Sequence, residues 1–381
     1  MTSTDSNTAR VQPRKLRVGI LFGGRSGEHE VSLVSARGII DAIDRERYEI
    51  VLIGITREGR WVVGGDPLEA LSTGQGAEDL STVRVSLEPG TSFRGDFSIK
   101  ELQLQDLDVI FPVLHGPYGE DGTVQGLLEV LAIPYVGAGV LASAVAMDKA
   151  IARQLFVANG LPVLPYCVFL SRSWKSRPAD VITECERTLQ YPMFTKPANL
   201  GSSVGVNKVR NRTELEAGLD EAARYDRKII VEQGIEAREI EVSVLGNDTR
   251  IVSMPGEIIP SREFYSYAAK YLDNASQLLI PAPLSSREVQ HVQEIALKAC
   301  AAVDCAGMAR VDFLMDKRTG EVWLSEINTI PGFTPISMYP KLWEASGISY
   351  SELIDRLIQL ALERFEDRQR CVTRFDPSRA A

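Results

Sequence analysis

The tightest constraint on the fold is a short run that is almost wholly apolar, Leu16-Arg17-Val18-Gly19-Ile20-Leu21-Phe22, which stops at Gly23-Gly24. Such a strand has no polar face to offer water, so it belongs in a parallel sheet covered on both sides. The pattern recurs at Leu107-Asp108-Val109-Ile110-Phe111-Pro112-Val113-Leu114, followed by His115-Gly116. Residues 30–44 carry Val31, Val34, Ile39, Ile40 and Ile43 on a helical repeat, and Tyr48 to Ile55 reads as another strand. This alternation predicts a doubly wound α/β domain over residues 15–140, after a polar tail at 1–14. Residues 64–106 interrupt it with Gly, Ser, Thr and acidic residues and are expected to form a surface excursion.

A chain of 381 residues has room for more, roughly two to three domains. A central unit is expected over 141–236. It has a helix around Met147–Asn159, an extended stretch at 162–170 and a helix at 178–190. A strand at 193–197, a tight loop at 201–205 and a strand at 228–233 complete it. A third unit is expected over 237–370, with strands at 240–245 and 251–255 and a helix at 285–303. It continues into a hairpin, Ala309–Met315 and Val322–Asn328, and a last helix opening at the capping pattern Ser349-x-x-Glu352. Residues 371–381 form a tail.

Composition narrows the function. The net charge of −9 gives no general attraction to nucleic acid or anionic membrane, and neither is expected as a partner. Two long uncharged windows, 130–147 and 154–171, are broken by Pro and Gly and do not read as membrane spans. Five scattered cysteines without a CxxC argue against a disulfide scaffold or a zinc ribbon. The expectation is a cytoplasmic enzyme.

Side chains two apart on a strand share a face. Arg310 and Asp312 therefore point one way, as do Glu326 and Asn328, and an even register sum across the turn would gather all four. Oxygen donors in that pattern suit Mg²⁺, but a solvated polar face would look the same. Lys196 ends an apolar strand just before Gly201-Ser202-Ser203-Val204-Gly205, a small-residue loop that can approach a phosphate. That loop also matches the GxSxG of serine hydrolases, which requires a helix directly after it; here Val206–Val209 reads as extended. Glu28 sits at a helix start, either as a charge favoured by the helix dipole or as the acceptor of a substrate ammonium. His115 closes a strand at the edge where α/β sheets bind ligands.

Seven segments occur in a telling order: FGGRSGEHEVS (22–32), HGPYGEDGTVQG (115–126), GAGVLASAVAMDK (137–149), TKPANLGSSVGVNKV (195–209), YSYAAKYL (265–272), ARVDFLM (309–315) and EINTIPGFTPISMYP (326–340). Over residues 16–365 the chain resembles the D-alanine–D-alanine ligases, which are ATP-grasp enzymes. The resemblance implies a three-domain ATP-grasp fold, with a preATP-grasp α/β domain and two α+β lobes clamping ATP. It implies ligation of two D-alanines through an acyl phosphate, for peptidoglycan synthesis, by a homodimer. Nearby alternatives are a D-alanine–D-lactate or D-serine ligase of the same fold, and an ATP-binding regulator without turnover.

The resemblance also implies roles. Glu28 and His115 would attend the first D-alanine, and Ser337 the carboxylate of the second. Arg310 and the Gly332 N–H would stabilise the transferring phosphate and tetrahedral intermediate. Lys149, Lys196 and Ser203 would meet the ATP phosphates, and Glu232 and Glu239 the adenosine. Ser202 would bond Tyr271 on a loop that closes over the site together with Lys270. Asp312, Glu326 and Asn328 would hold two Mg²⁺ ions, with Mn²⁺ as a substitute. Tyr271 favours D-alanine as the second substrate.

Overall fold

The computed structural model describes residues 14–83, 104–260 and 277–372. The first sheet contains β1 (Leu16–Gly23), β2 (Tyr48–Ile55), β3 (Trp61–Val63), β4 (Ser81–Thr82) and β5 (Val109–Val113) in the order β4-β3-β2-β1-β5. β1 runs parallel to both β2 and β5, and its Val18, Ile20, Leu21 and Phe22 are wholly buried, as the apolar run requires. The expected helix spans His29–Ala42. The part of the excursion after β3 that lies within the described residues, 64–83 and 104–106, is more ordered than its composition suggested, and residues 84–103 lie outside them. A helix, Pro67–Thr73, is capped by Asp66, whose carboxylate accepts from the Leu68 and Glu69 amides, and β4 then pairs with β3. Asp before Pro, with Gly74 closing the helix at φ +80°, is a start-and-stop pattern that was readable in the sequence.

The second sheet is antiparallel: β6 (Tyr166–Leu170), β7 (Met193–Pro197), β8 (Asn207–Val209) and β9 (Lys228–Gln233), ordered β6-β9-β7-β8. Helix Pro178–Thr188 and helix Arg212–Tyr225 bury Val181, Ile182, Leu215 and Leu219 against it. The Arg212–Tyr225 helix was not anticipated, although Asn211 caps it by accepting from the Glu214 amide. Upstream, Asp148 breaks what would be one helix into Val140–Met147 and Lys149–Ala158 and caps the second. Both pack their alanine-rich faces against the third sheet.

The third sheet holds β10 (Ala237–Gly246), β11 (Ile251–Val252), β12 (Gly256–Ile259), β13 (Gln277–Leu279), β14 (Gly307–Asp316) and β15 (Val322–Asn328). Its order is β13-β12-β10-β14-β15, with β11 on β10. In the β14–β15 hairpin Arg310 lies opposite Asn328, and Asp312 opposite Glu326. The register sum is even, so the four share a face. A bulge between Asp312 and Phe313 skips Ser325 and so sets Leu324 opposite Phe313 in the core instead of on the charged face.

The chain closes on itself through one apolar cluster. Val18, Phe22 and Phe111 of the first sheet pack with Phe333, Tyr339 and Trp343 and with Leu353 and Leu357 of the last helix, Tyr350–Gln369. Phe333 is fully buried, edge-on to Phe111 at 5.8 Å and stacked on Tyr350 at 6.1 Å. It fixes the loop after β15 against the first sheet. No helix among the described residues is long and apolar enough to cross a membrane. Phe333→Ala is expected to cost about 3–5 kcal/mol in urea unfolding, because no neighbour can collapse into the space of a ring held on three sides. A loss below about 1 kcal/mol would contradict this packing role.

Candidate functional site

Three loops bring Glu28, His115 and Ser202 together. Glu28 caps the first helix by position only: its side chain makes no capping bond and instead accepts from the Ser202 hydroxyl. Gly116 and Gly201 make room for it, since a Cβ on either would lie 2.7 or 3.1 Å from Glu28 Oε2. Ser202 and Ser203 both adopt left-handed backbone, at φ +50° and +58°. Strain of this kind clusters at ligand clamps. The loop leads into strand β8, not into a helix, so the hydrolase elbow is not formed.

His115 is a strut. Its Nδ1 donates to the Ile330 carbonyl at 3.2 Å, because a carbonyl can only accept. Nε2 then accepts from the Ser35 hydroxyl at 3.1 Å, and the Ser35 oxygen accepts the Phe333 amide at 3.2 Å. Burial pushes the imidazole below its ordinary pKa, in keeping with this neutral tautomer. Both ring nitrogens are thus committed to the protein.

The hairpin face is strongly charged. Arg310 grips Asp312 with two parallel bonds of 2.8 and 2.7 Å and reaches Glu241 at 3.0 Å. Asn328 donates to Asp312 at 3.0 Å, and Lys149 pairs with Glu326 at 3.2 Å. Burial opposes the Arg310 charge, but Asp312 and Glu241 outweigh it and hold the guanidinium well above its ordinary pKa. Glu241 was not anticipated. Its signal was register: β10 sets it opposite Asp312, on the same face as Glu239.

Glu28, His115, Ser202, Arg310, Glu326, Asn328, Gly332 and Ser337 all line one cleft of about 90 Å³. A Cβ at Gly332 would lie 2.7 Å from Ser337 Oγ, so a larger residue there would push the Ser337 hydroxyl from its place. Ser337 does not cap the helix it precedes, Met338–Ala345; its hydroxyl bonds Thr334. That helix N-terminus therefore keeps donors suited to a carboxylate. Asp312 lies behind Arg310 and does not line the cleft. Lys149 lines an adjoining cleft with Glu120, Glu326 and Asn328. Lys196, Ser203, Glu232 and Glu239 line neither. Lys270 and Tyr271 lie outside the described residues.

Two further groups matter. Glu120 accepts the Gly116 amide at 2.9 Å and lines both clefts. Burial, followed by the nearby Glu28 charge, pushes its carboxyl up to about 8. Arg153, almost wholly buried, pairs with the equally buried Glu232, which Lys196 also reaches at 3.0 Å. Burial pushes Glu232 up, but the two cations prevail and hold it below the ordinary carboxylate value. Arg153 follows Lys149 by one helical turn, so a single helix carries the cation paired with Glu326 and the cation paired with Glu232.

Glu326 and Asn328 line the cleft with hard oxygen donors of the type a divalent cation takes, with Asp312 adjacent, although no group of three or more His, Cys, Asp or Glu among the described residues is gathered as a metal site; four carboxyl groups line the cleft against one arginine. Together with three sheets arranged around this cleft, these features define a protein of the ATP-grasp class. Residues 17–138 match the D-ala D-ala ligase N-terminus family and residues 155–359 the D-ala D-ala ligase C-terminus family. The chain is 53% identical over 361 residues to the D-alanine–D-alanine ligase of Heliobacterium modesticaldum, covering 94% of this chain and 98% of that one. It is similar to the solved D-alanine–D-alanine ligase of Coxiella burnetii, with TM-score 0.79, 36% identity and coverage of 93% and 96%. It is also similar to the VanG D-Ala:D-Ser ligase of Enterococcus faecalis, with TM-score 0.80, 36% identity and coverage of 91% and 100%. The chain belongs to the D-alanine–D-alanine ligase family.

Two outcomes test the electrostatics. Folded Glu120 keeps its proton up to about 8, whereas an unconstrained glutamate releases it near 4.5. The native state binds more protons in that window, so wild-type stability falls as pH rises through it. Glu120→Gln, always neutral, is expected to gain melting temperature relative to wild type across the same window; a constant difference would contradict the raised pKa. Arg153→Met leaves the buried Glu232 carboxylate with Lys196 as its one remaining cation and is expected to cost up to about 3 kcal/mol, the low end for a broken buried pair. Adding Glu232→Gln should recover much of that loss. Equal losses in the single and double variants would show that Arg153 does not act through Glu232.

Proposed function

We propose that this protein joins two D-alanines at the expense of ATP, releasing ADP and phosphate and supplying a dipeptide for peptidoglycan synthesis. The observation that carries this reading is the convergence in one cleft of an ammonium acceptor, Glu28, an anion binder, Arg310, and a carboxylate site at Ser337. In the first step a carboxylate oxygen of one D-alanine attacks the γ-phosphorus of ATP. The bond to the β-phosphate bridge breaks, and an acyl phosphate and ADP result. In the second step the amine of the other D-alanine attacks the acyl carbon. The bond to phosphate oxygen breaks, and the nitrogen gives up a proton that leaves with the phosphate.

Glu28 holds the first ammonium and so orients its carboxylate. Arg310 and the Gly332 N–H face the negative charge that develops in both steps, where preorganised donors count most. Lys149 and Lys196 neutralise the phosphates, with Ser203 on the loop beside them, while Glu232 and Glu239 face the adenosine. Glu232 also holds Lys196 in place. His115, committed at both nitrogens, positions the Ile330–Phe333 loop. Ser337 and the helix it opens receive the second carboxylate. Asp312, Glu326 and Asn328 would hold Mg²⁺, two ions with Mn²⁺ able to substitute, which screen the triphosphate when bound. Lys270 and Tyr271 are assigned by motif to closing the site, with Ser202 and Glu28 as partners of the tyrosine. The family resemblance supports a cytoplasmic homodimer.

The likeness to a D-Ala:D-Ser ligase supports a second reading, in which the second substrate is D-serine. Tyr271 and the 53% identity to a D-alanine–D-alanine ligase favour D-alanine. Asp312→Asn and Glu326→Gln are expected to cut the rate of ADP release by orders of magnitude with the fold intact by circular dichroism. Glu28→Gln should chiefly raise the first-site KM for D-alanine. Full activity in the first two would remove the metal assignment, and unchanged D-alanine kinetics in the third would leave Glu28 a helix-end charge.

A further inference from the structure

A second cavity shares His115 with the catalytic cleft but not its chemistry. It holds about 220 Å³ and opens beside the ends of β1, β2 and β5. Ile55, Trp61, Leu114, Val124 and Leu127 give it an apolar wall. That volume exceeds the roughly 150 Å³ of an apolar protein cavity that takes up benzene. Neither Arg310 nor Glu326, Ser337 or Lys149 reaches it, so the ligation leaves it unused.

Its rim is built for a flat anion. Arg25, exposed to solvent, lies over the Tyr118 ring at 5.4 Å, and no carboxylate among the described residues pairs with it. Its stem lies against Gly59, where a Cβ would come 2.6 Å from Arg25 Cδ. Tyr118 is half-exposed, yet is held in the left-handed region at φ +66°, its amide bonded to Asp121 at 2.8 Å. An aromatic side chain seldom accepts that conformation on open surface, and such strain gathers at ligand clamps. A guanidinium beside an aromatic face suits a planar carboxylate: the carboxylate pairs with the cation and the ring stacks.

The cavity wall also touches the catalytic machinery. Ser26 lines it, donates to the His115 carbonyl at 2.7 Å and accepts the Glu28 amide at 3.2 Å. We propose that this cavity is a regulatory site for a small aromatic carboxylate, with its ring among Trp61, Leu114 and Leu127 and its carboxylate on Arg25. Occupancy acts on the first amino-acid site through Ser26 and Glu28. The effect on the amino acid rests on the ligase reading; the binding itself does not.

The test titrates indole-3-acetate into the full-length protein, followed by ligand-observed NMR and calorimetry, and repeats ADP-release kinetics with the probe present. Wild type is expected to bind it. Arg25→Gln should weaken binding about tenfold or more, and Leu127→Trp, which fills the cavity, should abolish it. Thermal melts confirm that both variants fold. The first-site Kd for D-alanine, read by calorimetry, should shift, and D-alanine should change probe affinity by the same factor. No binding at millimolar probe, or equal binding in all three proteins, overturns the proposal. So does full mutual exclusion with D-alanine, which would make the cavity an annex of the amino-acid site. Arg25-dependent binding in a protein that never turns over D-alanine would sustain the site while removing the ligase reading.

Discussion

The structure is organised around the Arg310 guanidinium. It is the one arginine in a cleft lined by four carboxyl groups, and it is tied to Asp312 by two parallel hydrogen bonds and paired with Glu241 at 3.0 Å. Two carboxylates directly opposite on neighbouring strands repel. Asp312 faces Glu326 across one strand pair and Glu241 across the other. Arg310 and Lys149 make that arrangement tolerable. A site so rich in anions is stable and useful only where further cations, or the ammonium of a substrate, share the charge. Burial, with the Glu28 charge adding to it, keeps the proton on Glu120 up to about 8.

The fold delivers the partners of this charge from three directions. The first sheet supplies Glu28 and His115 at its carboxyl edge, the third supplies Arg310 and the acidic pair from one hairpin face, and a helix between them brings Lys149 to Glu326. Phe333 joins the ends of this scheme, since the loop carrying Gly332 and Ser337 is locked to the first sheet through its ring and through His115. Positioning by buried rings and committed hydrogen bonds leaves little freedom at the reacting centre, which is what catalysis by orientation requires.

Much of this was legible in the sequence because it rests on local rules. The apolar run of β1 marked a buried parallel strand, and alternation along the hairpin placed Arg310, Asp312, Glu326 and Asn328 together once the register proved even. The small-residue loop at 201–205 read correctly as a loop and not an elbow. What escaped depends on long-range pairing. Glu241 joins the site only through its register with β14, Arg153 matters only because Glu232 is buried beside it, and Glu120 acquires its character from burial and then from Glu28, far away in sequence. The helix Arg212–Tyr225 and the Asp66-capped helix were missed for another reason: their capping signals are sound, but their surroundings are rich in polar residues that mimic a loop.

The account stands or falls on the product. Purified protein with ATP and Mg²⁺ should release ADP and phosphate when given D-alanine alone, and mass spectrometry should find D-alanyl-D-alanine in equal amount. L-alanine should support neither. Release of ADP only when D-serine or D-lactate accompanies D-alanine, with the mixed product, would contradict the assignment of the second substrate. ATP binding without turnover of any of these would contradict the catalytic reading of the cleft itself.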